Sequence, residues 1–135
     1  MNIDLRKYNL REVPIGTVVT TSKGFNFELI GRFETDEHWL DVTSGLVWMP
    51  KNPAQFTHNM VMEKFGDSIP TRTMVEEGEN HGFREVLDVK GWYWTSTPVP
   101  GVKEIAWGIN GFSGKFGYGI RSNDLGMVLC VSRGQ

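Results

Sequence analysis

The chain has 135 residues, with 14 Lys and Arg against 16 Asp and Glu, a formal net charge of −2. That length sets one domain with a core able to stand without staples, and the mild acidity excludes a general electrostatic grip on nucleic acid or anionic lipid. A single cysteine, Cys130, excludes an intramolecular disulfide and fits a reducing compartment. Residues 1–14, MNIDLRKYNLREVP, lack the apolar run of a signal peptide. We therefore expect an N-terminal arm over 1–14, a single domain over 15–135, and a cytoplasmic protein. No stretch reaches the ~20 apolar residues of a membrane span.

The first structured segments are β-rich. Val18 to Thr21 and Phe25 to Ile30 flank Ser22, Lys23 and Gly24, which predicts a hairpin. Phe25, Phe27 and Leu29 alternate with polar residues, so one face is buried. A second pair follows: 39–41 and 46–48 flank a four-residue turn in which Gly45 supplies a positive φ.

The middle of the chain reads as helical. Asn52 and Pro53 predict a helix start with Gln55 closing a capping box, and Phe56, Met60, Val61 and Phe65 follow at helical spacing up to Gly66. A second helix is expected after the cap residue Thr71, with an acidic side at Glu76, Glu77 and Glu79 and an end at His81-Gly82. Phe83 to Leu87 is a short turn or helix.

Four strands are then expected, at 92–96, 105–110, 115–121 and 127–132, each with large apolar residues at alternate positions. The order of strands, two helices and strands gives an α+β domain with helices on a mainly antiparallel sheet.

These segments also carry a resemblance. Trp39-Leu40-Asp41-Val42-Thr43-Ser44-Gly45-Leu46-Val47-Trp48 resembles the D-x-x-T-G-L-x-W opening of the DUF1566 family, also called Lcl C-terminal domains. Ile69-Pro70-Thr71 resembles its R-L-P-T element, Tyr93 to Thr97 its Y-W-S-S-T strand, Ala106-Trp107 its A-W strand, and Val128 to Gly134 its closing V-R-C-V-R-G. Residues 76–87 resemble versions common in phage-encoded members. The resemblance implies a C-type lectin-like fold and a binding role. Ser68 and Leu129 stand where the family has Arg, and the usual partner cysteine is missing. These departures weigh against a secreted adhesin and favour a stand-alone protein inside a cell.

Candidate chemistry is sparse. The Glu-Pro-Asn type of calcium loop is replaced by Thr97-Pro98-Val99-Pro100, and Asn123-Asp124 reads as a turn. His38, His58 and His81 lack the spacing of a helix-borne metal pair, and His38 beside Asp36 and Glu37 reads as an exposed polar turn. Cys130, between Leu129 and Val131, reads as a small buried side chain rather than a nucleophile. Lys115 to Gly119 faintly echoes an RNA-binding strand, but glycine turns with aromatics filling the core explain it better.

No cofactor, metal or catalytic residue is therefore expected. The expected activity is docking on a protein partner, with inhibition of a host protein in a phage setting. Recognition of a receptor or glycan by a phage tail or surface adhesin is the alternative. The resemblance directs attention to the loops after the last helix. There Phe112, Lys115, Arg121, Asn123 and Asp124 are the expected contact residues, with Lys115 and Arg121 exposed opposite Phe116 and Tyr118. An aromatic beside arginine is the usual make-up of an interface hot spot.

Overall fold

The computed structural model describes residues 13–33 and 36–133. Eight strands form one sheet: β1 (Val18–Thr20), β2 (Asn26–Phe33), β3 (Asp36–Asp41), β4 (Leu46–Thr57), β5 (Trp92–Val99), β6 (Val102–Asn110), β7 (Phe116–Ile120) and β8 (Leu125–Arg133). Their spatial order is β1-β2-β3-β4-β8-β5-β6-β7. Every neighbouring pair is antiparallel except β5 with β8, where Tyr93 lies beside Met127 in parallel pairing. Helices α1 (His58–Phe65) and α2 (Arg72–His81) fill the connection between β4 and β5. The α+β reading stands.

Side chains alternate across a strand, so one sheet supports two cores. On β8, Leu129 and Val131 join a core with Val75 of α2, Phe83, Trp39, Trp48, Tyr93 and Ile109. Val128 and Cys130 point to the other face and join Val61 of α1, Ile69, Trp94 and Ala106. The two helices thus cover opposite faces of the sheet.

The polar residues of the Asp41–Trp48 stretch have a structural role. Asp41 is fully buried. Its Oδ1 accepts from the backbone N–H groups of Thr43 (3.1 Å) and Ser44 (3.3 Å), and its Oδ2 lies 2.5 Å from Nδ1 of His81 at the end of α2. The carboxylate therefore closes the β3–β4 turn and ties it to a helix. His81 also stacks on Phe25, with ring centroids 3.8 Å apart.

Four expectations change. The first helix starts at His58, not at Asn52-Pro53, and its cap is Thr57, whose Oγ1 accepts from Met60 N at 3.3 Å. Residues 50–57 instead extend β4 along β8, with the register broken between Pro50 and Gln55. Asn52 makes side-chain bonds to Asp88 O and Tyr93 Oη rather than capping a helix. Proline cannot donate to a ladder, so a strand carrying Pro50 and Pro53 breaks its register there. Glu37 and His38 belong to β3 rather than to an exposed turn, and Glu37 is buried against Arg32 (2.8 Å). Val13 lies in the main core, so the domain begins before residue 15; residues 1–12 of the expected arm lie outside the described residues. The fourth change concerns β7 and belongs to the site.

Candidate partner-binding edge

β7 is the last strand of the described sheet and hydrogen-bonds only to β6. Opposite pairs on its ladder are Ile105 with Ile120, Trp107 with Tyr118, and Ile109 with Phe116. These share one face. The other face carries Ala106, Gly108, Gly117 and Gly119.

The glycines make room for two indoles. A Cβ on Gly108 would fall 2.3 Å from Trp92, one on Gly119 2.8 Å from Trp94, and one on Gly126 2.7 Å from Trp94. Trp92 and Trp94 pack edge to face, 5.9 Å apart, and Trp94 Nε1 donates to Phe56 O at 3.0 Å. Aromatics do fill a core here, yet the glycines are strand residues beneath them rather than turns.

The expectation that Phe116, Tyr118 and Ile120 fill the core holds only for Phe116. Tyr118 is 67% exposed and Ile120 46%. The outermost strand has sheet on one side alone, and α2 reaches only its near end. There the Arg72 guanidinium sits 4.2 Å from the Trp107 ring and 4.8 Å from the Phe116 ring. Tyr118 meets Trp107 edge-on at 6.2 Å and otherwise faces solvent.

The five expected contact residues fall into two groups. Phe112 (71% exposed) and Lys115 lie in the β6–β7 turn, and Arg121, Asn123 and Asp124 lie in the β7–β8 turn. β7 separates the groups by about 13 Å at ~3.3 Å per residue. Arg84 Nη1 donates to Phe112 O at 3.1 Å, which fixes the backbone of the first turn while its phenyl ring stays exposed. Asn123 and Asp124 are exposed, and both backbone N–H groups bond to Ile120 O.

Arg121 is not the free cation expected. It is half-buried; its Nε donates to Nδ1 of His58 (3.1 Å) and its Nη1 to Lys103 O (3.1 Å). His58 is buried, and its Nε2 donates to Thr95 O at 2.9 Å, so Nδ1 is left as the acceptor for Arg121. Burial pushes the imidazole pKa below its ordinary 6.5; the Thr95 bond opposes this and the Arg121 charge reinforces it. Sequence spacing gave no sign of this pair, since the partners lie 63 residues apart.

Two further groups, Cys130 and Tyr93, are held in their neutral forms. Burial raises the Cys130 thiol, and it raises the Tyr93 phenol to about 12. Among the described residues, no three His, Cys, Asp or Glu side chains converge as a metal site. No helix among them is long and apolar enough to cross a membrane.

A shallow hollow of about 280 Å³ opens at the C-terminal end of β7, lined by Trp92, Tyr118, Gly119, Asp124 and Leu125. Leu125 is 59% exposed. The β7 edge thus combines apolar side chains, an indole and one carboxylate. No family model, no curated protein and no solved structure matches this chain.

Proposed function

We propose that the domain is a C-type lectin-like binding module that acts by docking on a partner protein rather than by catalysis. The contact surface is the β7 edge with its flanking turns. The observation that carries this reading is the exposure of Phe112, Tyr118, Ile120 and Leu125 along β7, the turn before it and the start of β8. Single exposed apolar side chains are ordinary, whereas a group of them beside charged residues marks an interaction surface. Lys115 at one end and Asp124 at the other supply a polar rim. Arg121 supports this surface from behind by fixing the β7–β8 turn. The residue-level resemblance to phage-type DUF1566 domains favours a C-type lectin-like fold, a host protein as the partner and inhibition as the outcome.

The test is capture from bacterial lysate on immobilised protein, comparing wild type with a Tyr118→Ser/Ile120→Ser variant. One stoichiometric protein retained by the wild type and lost by the variant supports the reading. Equal retention by both moves the surface elsewhere. An empty column that nevertheless holds whole cells or envelope glycans replaces protein docking by glycan recognition.

A further inference from the structure

The outer edge of β7 has its hydrogen-bonding capacity only partly used. Asn110 N donates to Lys115 O and Arg121 N donates to Glu104 O, both at 2.9 Å. With the register unbroken between them, alternate backbones at 115, 117, 119 and 121 face β6. Those of Phe116, Tyr118 and Ile120 face outward. Ile120 is already satisfied: its N–H donates to Asp124 Oδ2 at 2.6 Å, and its C=O accepts from Asn123 N (3.2 Å) and Asp124 N (2.9 Å). Phe116 and Tyr118 remain, and among the described residues no strand lies beyond them.

We propose that this edge accepts one extended segment of the partner protein as a ninth strand, with a Lys or Arg side chain of that segment seated beside Trp92 and Asp124. The proposal rests on the protein-docking reading above and specifies its chemistry. Two outward residues, each with an N–H and a C=O on the same side, match the alternation of another strand and not the surface of a helix. The two faces of β7 then dictate the side chains. A segment residue opposite Tyr118 or Ile120 lies on the apolar face. The residue between them, opposite Gly119, lies on the glycine face next to the hollow. An indole and a carboxylate there favour a cation. The recognised pattern is apolar, basic, apolar.

The probe is the capped peptide Thr-Val-Lys-Val-Ser-Val-Thr, with a second peptide carrying Glu for Lys, titrated by tryptophan fluorescence. The Lys peptide should bind at least ~10-fold more tightly than the Glu peptide. Asp124→Asn keeps an acceptor for Ile120 N but loses the charge, so it should abolish that preference. N-methylation of the valines that face Phe116 and Tyr118 should abolish binding, while N-methylation of Lys or Ser should leave it. Tyr118→Pro removes an outward donor without touching the β6 ladder and should act like the valine methylations; the peptide series decides the matter if that variant misfolds. Equal affinity for both peptides overturns the basic seat. Insensitivity to N-methylation, or no saturable binding up to about 1 mM, overturns strand addition. A captured host protein held equally by wild type, Tyr118→Pro and Asp124→Asn would overturn this inference while leaving protein docking intact. Absence of any captured protein counts against protein docking itself.

Discussion

Gly108 lies directly beneath Trp92: a Cβ at residue 108 would fall 2.3 Å from Cζ2 of the indole. The neighbouring contacts at 2.6 and 2.8 Å involve the same ring, so no flexible side-chain end can yield. Trp92 is hemmed in further by Gly117 and Gly126. Gly108→Ala should therefore cost about 1–3 kcal/mol through overpacking. Urea denaturation should show a lowered midpoint and unchanged slope. A midpoint equal to that of the wild type would mean that the indole has room to move.

Asp41→Ala should be among the most damaging single changes. It removes the acceptor for two turn N–H groups and the partner of His81 at once. Buried donors left without partners cost about 1–3 kcal/mol each, although the N–H groups at Thr43 and Ser44 recover part of that from water because Thr43 is exposed. A loss of about 3 kcal/mol is expected on the same basis. Asn at this position keeps the turn acceptor and should recover part of the loss. Equal stabilities for the Ala and Asn variants would refute the turn-closing role.

Much of this fold is legible from periodicity. Val18 to Thr20 and Leu46 to Trp48 declare themselves as β-rich flanks of turns, Phe27, Leu29 and the last four strands by alternation, and Thr71 and Gly82 bound α2 as their chemistry demands. The start of α1 misleads because Asn52-Pro53 carries a complete local cap signal. Pairing with β8 and the bonds of Asn52 to Asp88 and Tyr93 outweigh it. Alternation also cannot say which strand lies outermost. That single unknown decides whether Tyr118 and Ile120 are core or surface. Phe112 was readable as an exposed turn residue, whereas Arg121 could not be read as a buried partner of His58, because nothing local links them.

The two halves of the expected surface should separate experimentally. Phe112→Ala should change stability by less than about 0.5 kcal/mol, as ordinary surface substitutions do. Arg121→Ala breaks the bonds to His58 and Lys103 and should cost about 1–3 kcal/mol. Denaturation curves of both variants decide this; an inert Arg121→Ala would return that residue to the binding surface.

Cys130 should resist thiol reagents in the native protein. It is 3% exposed, and burial holds the thiol protonated above its ordinary range. Labelling at pH 8 should be slow without denaturant and complete in 6 M guanidinium. Rapid native labelling would show that the α1 face opens readily.

His58 should make stability fall in mild acid. Its Nε2 hydrogen donates to Thr95 O and its bare Nδ1 accepts from Arg121, so the folded site requires the neutral ring. The folded pKa is lowered from 6.5, chiefly by burial. Above 6.5 the ring is neutral in both states and the full stability is present. As pH falls below 6.5 the unfolded chain takes up a proton that the folded chain refuses, and stability declines until the lower folded pKa is reached. The slope between the two approaches about 1.4 kcal/mol per pH unit for one fully linked proton. His38 is shifted in the same direction, mainly by burial, so the wild-type curve alone does not isolate His58. Comparison with His58→Gln does, because Gln can donate to Thr95 O without titrating. Denaturation at pH 7.5 and 5.5 should show a larger loss for the wild type than for the variant. Equal losses would mean that the His58–Arg121 contact tolerates a protonated ring.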